Sequence, residues 1–322
     1  MKTIKIGIIL FLVSIIPFIL FCNNENSVKN TVMNELQHLY FQSEQTETGK
    51  KDDTIFDIAQ IPDITSKDIT SASFIKSRLE ALVGNSMKQK CDSIGVKYPP
   101  AFVLFRMFKA EREFEIWVAN NRKDTLKLLG LLPVCAVDYC PGTKLQSGDG
   151  KTPEGFYNCD LAYGSSYSFM WINLNNNKLD DFGNVGNGCS SFKICTDYPH
   201  SIDRQRTKKL LGNASPGGEI CIHGNCVTAG CISFENRNFL PVFLAATFHN
   251  KTDFGKIKIH IYPFRFTEAN KNNYSESVDS EMNKTQLLNF WNELEKGYNL
   301  FETNKKAFSV LYSDSTYIFK SY

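Results

Sequence analysis

The chain has 322 residues, enough for one large domain or two small ones. Its apolar content of 42% is ordinary for a folded protein. The formal net charge is only +2 and no long basic run is present, so nucleic acid is excluded as an expected partner.

The N-terminus has the features of an export signal. Lys2 and Lys5 precede an uncharged apolar stretch over residues 6–21, which matches the basic and apolar regions of a signal peptide. The stretch is shorter than the ~20 residues of a transmembrane helix, and Pro17 interrupts it. We therefore expect residues 1–22 to direct export to the periplasm or the cell envelope.

Cys22 raises the alternative of a bacterial lipoprotein. It follows the apolar stretch and precedes a polar run, and multiple acylation of this cysteine would anchor the protein to a membrane surface. Phe21, however, stands where a small residue is expected before a lipoprotein cysteine. An uncleaved membrane anchor and an ordinary cleaved signal peptide remain as alternatives.

Two segments precede the main domain. Residues 23–70 are polar and predict a linker. Residues 71–100 predict an N-terminal helical extension, because apolar residues recur at helical spacing over 73–91 with a serine at the start as a cap. The main domain is expected over residues 101–308, followed by a C-terminal tail over 309–322.

The main domain opens with strands. Residues 102–108, 113–118 and 125–132 are apolar runs separated by short polar turns, a pattern that predicts an antiparallel meander. Residues 140–168 predict a loop-rich region.

Later elements alternate between helix and strand. Residues 197–204 predict a polar loop around one proline, and residues 239–247 a helix whose first turn contains Pro241. Residues 257–262 alternate as a strand, and residues 284–295 predict an amphipathic helix.

Residues 220–233 carry the chemistry. His223-Gly224 and Gly230-Cys231 are separated by five residues, with strand-like apolar runs on both sides. A thiol needs a base to become a nucleophile, and His223 titrates near neutrality. Gly230 lets the Cys231 N–H turn towards a developing oxyanion. The segment therefore predicts a nucleophile, a proton donor and acceptor, and an oxyanion donor.

Three neighbours of this pair are candidate substrate-binding residues. Gly224 allows the backbone to approach a substrate. Asn225 and Thr228 lie between the base and the nucleophile, where they could donate or accept hydrogen bonds.

Ten cysteines fit an oxidising compartment. Cys135–Cys140 and Cys189–Cys195 are possible local disulfides, although spacing alone does not determine connectivity. Cys221, His223, Cys226 and Cys231 could instead hold zinc, but catalysis better explains the Gly-Cys pair. A Cys226–Cys231 disulfide that would inactivate the thiol is a further alternative.

Four motifs in the same order resemble one family. The His-Gly and Gly-Cys pairs of 223–231 resemble the active-site signature of YkuD-type L,D-transpeptidases, and Cys226 resembles the YafK-like branch. GDGKTPEGFY at 148–157, IYPFRFT at 261–267 and the FW-x-x-L…GY-x-x-F run at 290–302 resemble three further family motifs. Together they cover roughly residues 101–306.

The resemblance implies a β-rich α+β fold of two packed mixed sheets with a few helices. It also implies a mechanism without a metal or organic cofactor, in which Cys231 attacks a peptidoglycan stem peptide and His223 transfers protons. A backbone carbonyl is expected to orient His223. It further places 148–157 beside the substrate groove and 197–204 near the mouth of the site, where His200, Asp203 or Arg204 could contact substrate.

Three functions fit these features. The first is transfer of an acyl group from diaminopimelate to an amine of a second stem or of a wall-linked lipoprotein. The second is hydrolysis of cross-links or of lipoprotein bonds, and the third is non-catalytic wall binding. The chain departs from the family pattern in one respect. Many YkuD-type enzymes have an arginine shortly after Gly-Cys, whereas here the first is Arg237, six residues after Cys231, so substrate recognition is expected to differ.

Overall fold

A computed structural model describes residues 76–77, 79–138, 140, 142–164, 191–224, 226–249, 255–276, 279, 281–313 and 316–322. The predicted export signal and linker, and the start of the helical extension, lie outside these residues. No helix within the described ranges is long and apolar enough to cross a membrane.

The centre of the fold is an eight-stranded mixed sheet in the order β3-β2-β1-β8-β4-β5-β6-β7. Its strands are β1 Phe102–Phe108, β2 Glu113–Ala119, β3 Lys127–Pro133, β4 Gly155–Gly164, β5 Ser191–Thr196, β6 Cys221–His223, β7 Ile232–Ser233 and β8 Ile257–Tyr262. The predicted meander is confirmed, because β1 pairs antiparallel with β2 and β2 with β3. β1 also pairs in parallel with β8.

The sheet separates two apolar cores. Every residue of β1 is buried, because alternate side chains of a strand point to opposite faces and both faces are covered. Val103 and Phe105 belong to one core, which also contains the buried residues of the N-terminal helix. Phe102 and Leu104 belong to the other.

Helices cover both faces. A π-helical turn, Glu80–Gly84, continues into α1, Asn85–Ser93. The other helices of the described residues are α2 Ser201–Leu211, α3 Asn236–Phe248, α4 Glu268–Tyr274 and α5 Lys284–Asn304. With this content the predicted β-rich α+β class is confirmed.

Four predicted assignments are wrong. The loop-rich region predicted at 140–168 contains β4, Gly155–Gly164, which pairs with β5 and β8. The polar loop predicted at 197–204 ends in α2, because the Asp203 carboxylate accepts the His200 N–H at 2.8 Å and caps the helix start. Helix α3 begins at Asn236, so Pro241 lies inside it rather than in its first turn. Helix α5 continues past residue 295 to Asn304.

Most of the predicted C-terminal tail is a hairpin. β9 Phe308–Ser313 and β10 Thr316–Ser321 pair antiparallel as a separate two-stranded sheet. Phe308 and Tyr317 are buried in the core that contains α5. Burial of these side chains stabilises the hairpin, although the segment as a whole has many polar residues.

Candidate active site

The His-Gly and Gly-Cys pairs lie on two adjacent parallel strands. His223 ends β6, and Cys231 immediately precedes β7. The strands pair Ile222 with Ile232 and His223 with Ser233. Because strand side chains alternate between faces, this register brings His223 and Cys231 to the same face as diagonal neighbours.

A backbone carbonyl orients His223. The imidazole is buried, and Nδ1 lies 2.6 Å from the Gly224 carbonyl oxygen. Since a carbonyl can only accept, Nδ1 carries the proton and Nε2 is the nitrogen able to act as a base. The Ser233 hydroxyl donates to the same carbonyl at 2.8 Å and lies 3.5 Å from Nδ1.

Cys231 is a partly exposed free thiol. Its Sγ accepts the Cys221 N–H at 3.4 Å and donates to the Glu219 carbonyl oxygen at 3.6 Å. These contacts hold the sulfur beside β6. Among the described residues, no hydrogen bond is found for the Cys231 N–H. It is therefore better placed to bind an oxyanion than the Gly230 N–H, which already donates to Thr228.

The electrostatics favour two neutral groups in the resting site. Burial lowers the pKa of His223 below its ordinary value of 6.5, against a hydrogen bond to Gly224 that raises it. Burial likewise raises the pKa of the Cys231 thiol, while the Cys221 N–H and the Lys193 ammonium lower it. A neutral thiol beside a neutral imidazole requires general-base activation.

In the loop between His223 and Cys231, two residues predicted to bind substrate or the oxyanion, Thr228 and Gly230, make hydrogen bonds within the loop itself. Gly230 has φ +119°, and its N–H already donates to Thr228 Oγ1 at 3.0 Å. Thr228 Oγ1 also donates to the Cys231 carbonyl oxygen at 2.7 Å, so Thr228 braces the loop. The Gly224 carbonyl orients His223. Asn225 lies outside the described residues.

Two disulfides flank the site, and neither predicted local pair forms. Cys135 bonds to Cys226, and Cys195 bonds to Cys221, because the sheet brings together cysteines that are distant in sequence. Cys140, predicted to pair with Cys135, is disulfide-bonded in another pair.

These bonds also correct two alternatives. Two of the four side chains considered as zinc ligands, Cys221 and Cys226, are bonded to other sulfurs and are not thiolates. Cys226 is likewise not bonded to Cys231.

The motif at 148–157 builds the fold beside the site. Glu154 and Lys109 are both fully buried, with Nζ 2.9 Å from Oε1, and the Trp291 indole N–H donates to the other Glu154 oxygen at 2.9 Å. The Lys151 carbonyl oxygen approaches Gly230 so closely that a Cβ would lie 2.7 Å from it. The motif therefore connects the start of β4 to α5 and to the Gly-Cys loop.

The three polar residues near 197–204 have different environments. Asp203 is buried and accepts hydrogen bonds from Tyr157 Oη at 3.1 Å and Arg206 at 3.2 Å, which is a structural role. His200 Nε2 lies 2.6 Å from Asp197 Oδ1. Arg204 is exposed.

Sequence reasoning missed two neighbours of the pair. Ser233 lies opposite His223. The sequence could have indicated this residue, because it is two positions after Cys231 and alternate residues of a strand share a face. Lys193 on β5 acts on both His223 and Cys231 electrostatically. Its position depends on strand pairing, for which the sequence carries no signal.

Comparisons with known proteins extend this description. No family model matches the chain. The chain is 27% identical over 221 residues to a protein named "Putative L,D-transpeptidase YafK" from Escherichia coli K12, covering 67% of this chain and 73% of that protein. The same protein of Escherichia coli O157:H7 matches equally.

Two solved structures are also similar. One is the helical cell shape determining protein Pgp2 from Campylobacter jejuni, with 16% identity, TM-score 0.32, and coverage of 71% of this chain and 80% of that chain. The other is Bd1075 from Bdellovibrio bacteriovorus, with 14% identity, TM-score 0.33, and coverage of 64% and 61%. Because both TM-scores are below 0.5, the likeness to YafK rests on sequence alone. The chain is a homologue of YafK, which confirms the resemblance to the YafK-like branch of the YkuD-type L,D-transpeptidase family.

Proposed function

We propose that this protein is a cysteine acyltransferase that acts on peptidoglycan stem peptides. The observation that carries the proposal is the common face of His223 and Cys231, with the imidazole oriented by the Gly224 carbonyl. This combination supplies a nucleophile, a base and a fixed tautomer, which are the parts that acyl transfer through a thioester needs.

The acylation step follows from these parts. His223 Nε2 takes the thiol proton as Cys231 Sγ attacks the carbonyl carbon on the L-centre of diaminopimelate in a tetrapeptide stem. The Cys231 N–H stabilises the oxyanion, and release of the Gly230 N–H from Thr228 would supply a second donor. When the C–N bond breaks, the imidazolium returns its proton to the leaving amine, and D-alanine departs from a thioester.

An amine completes the cycle. The amine of a second stem, or a lysine of a wall-linked lipoprotein, attacks the thioester, and His223 removes its proton. The C–S bond then breaks, the new amide leaves, and the imidazolium returns the proton to Cys231 Sγ. Water in the same position would make the enzyme a hydrolase of cross-links or lipoprotein bonds. The outcome depends on how well the acceptor excludes water.

An envelope location is part of the proposal. Two disulfides near the site are consistent with an oxidising compartment, and residues 1–22 supply the export signal. Acylation of Cys22 would hold the enzyme at a membrane surface near its polymeric substrate.

The test is incubation of the purified protein with defined disaccharide tetrapeptides and cross-linked dimers, read by mass spectrometry. Cys231→Ala removes the nucleophile, and Cys91→Ala removes another free thiol, buried in α1, as a matched control. We expect cross-linked or D-amino-acid-exchanged products with the wild type and the control only. Tripeptides or cleaved dimers alone would assign hydrolysis, and identical inert spectra from all three proteins would contradict catalysis on these substrates.

A further inference from the structure

A further feature of the candidate site is the cation Lys193, which lies on the same face of the sheet as His223 and Cys231. β5 pairs antiparallel with β6, with Ile194 opposite Ile222 and Cys195 opposite Cys221. One residue further along this register, Lys193 stands opposite His223. Directly opposed residues on antiparallel strands have Cβ atoms about 4.5–5.5 Å apart and point to one face, so the Lys193 side chain emerges beside the base.

This register is held firmly. The Cys195–Cys221 disulfide joins the two strands two residues from Lys193, and a one-residue slip would move every side chain to the other face. The electrostatics agree, because Lys193 influences the pKa of both His223 and Cys231, although burial is the larger cause for each.

Lys193 has room for an anion. Its side chain is half-buried. On the side away from β6, its partner on β4 is the small residue Ala162. Within the described part of the chain its ammonium has neither an ion pair nor a hydrogen bond. By contrast, Lys144, which also influences Cys231, is paired with Asp149 at 2.6 Å.

The position beside His223 restricts which group of a substrate Lys193 can meet. In the proposed reaction the imidazole returns its proton to the leaving nitrogen, so that nitrogen must lie near Nε2. When the leaving amine belongs to an α-amino acid, its carboxylate is one carbon from the nitrogen. A cation adjacent to the base therefore lies close to that carboxylate.

We propose that Lys193 recognises the carboxylate of the leaving amino acid and makes the enzyme selective for scissile amides whose leaving amine carries an α-carboxylate. The inference rests on the proposed function. It favours a terminal D-alanine or the D-centre of diaminopimelate as the leaving group. It disfavours a lysine side-chain amine, which has no carboxylate on the carbon next to the nitrogen, and so narrows the proposed reactions to those that do not use a lipoprotein lysine.

The first experiment needs no peptidoglycan activity. The protein is alkylated with iodoacetate, which is an anion, or with iodoacetamide, its neutral analogue, and modification of Cys231 is followed by peptide mass spectrometry. We expect Lys193→Gln to lower the iodoacetate-to-iodoacetamide rate ratio about fivefold at low salt. Lys193→Arg should largely restore it. Lys127→Gln, an exposed lysine at the start of β3, makes the same charge change and should leave the ratio unchanged.

The second experiment measures selectivity with substrate. Acylation kinetics are compared for the disaccharide tetrapeptide, its C-terminal amide, and a stem joined to a lysine side chain. With the wild type we expect about a tenfold higher kcat/KM for the free carboxylate than for the amide, and little difference with Lys193→Gln.

The outcomes separate the two proposals. An alkylation ratio that Lys193→Gln leaves unchanged, or a wild-type enzyme that prefers the amide or the lysine-linked stem, would overturn the role of Lys193. A ratio that falls as expected in a protein that acylates none of the substrates would refute the proposed function while keeping the anion site.

Discussion

Replacing Glu154 with glutamine should destabilise the fold more than a change of one atom suggests. Glu154 and Lys109 are both fully buried. Burial alone would lower the pKa of Lys109, but the carboxylates of Glu154 and Asp138 raise it, so the lysine stays charged. Removing the Glu154 charge leaves the buried ammonium without the nearer of its two carboxylate partners, which is costly.

The remaining contacts set the size of the effect. Lys109 Nζ keeps the Gly142, Cys140 and Thr152 carbonyl oxygens at 2.9, 3.2 and 3.3 Å, and Asp138 at 3.5 Å. Glutamine has one oxygen, whereas Glu154 serves both Lys109 and Trp291, so one partner would face an NH₂ group. We expect a loss of about 3 kcal/mol, the lower end for breaking a buried ion pair.

The assay is thermal and urea unfolding followed by circular dichroism with the disulfides intact. A loss of this size corresponds to a fall in Tm of roughly 10 °C for a domain of this length. Glu276→Gln is a control, since its carboxylate is 82% exposed and paired with Lys284. That change should move Tm by no more than about 2 °C.

A double variant separates charge from packing. Lys109→Met with Glu154→Leu removes both charges, and its cost should be smaller than the sum of the single costs. A Glu154→Gln protein that melts with the wild type, or a double variant whose losses simply add, would refute a buried ion pair at this position.

The remaining predictions concern the site. Because burial lowers the pKa of His223 below 6.5, the basic form persists below that pH, and kcat/KM should fall only under more acidic conditions; an acid limb centred above pH 6.5 would contradict this. Gly230→Ala should reduce kcat at least tenfold and stability by about 2 kcal/mol, since φ is +119° and the new Cβ meets a carbonyl oxygen; unchanged kinetics would show that the loop adapts. Cys195→Ala should free Cys221 to form a disulfide with Cys231 in air, abolishing activity until a reductant is added. Replacing Cys195 and Cys221 together should keep the thiol free, and an air-stable single variant would contradict the predicted proximity.

The sequence predicts most of the regular elements because their signals are local. β1 coincides with the apolar run at 102–108, and β8 with the alternation at 257–262. The start of α2 was missed because its cap, Asp203, looks like a loop residue until its carboxylate is seen on the His200 N–H. The C-terminal hairpin was missed because its reason to fold is burial against α5, a contact distant in sequence.

In the candidate site, too, local features were predictable from the sequence and features that depend on strand pairing were not. The spacing of His223 and Cys231 identifies the pair, since both lie within one short segment. The contributions of Lys193 and of the disulfide partners were not predictable, because they arrive through the pairing of β5 with β6. Spacing along the chain does not encode which strands become neighbours.

The disulfides also bear on how Cys231 remains a free thiol beside oxidised cysteines. Cys221 Sγ and Cys231 Sγ both lie 3.6 Å from the Glu219 carbonyl oxygen, so two free thiols there would be prone to oxidise to each other. The bond from Cys221 to Cys195 removes that partner. Because Cys226 is likewise bonded, to Cys135, each neighbouring sulfur in this loop is already occupied. The arrangement therefore leaves the Cys231 thiol reduced beside cysteines that are oxidised.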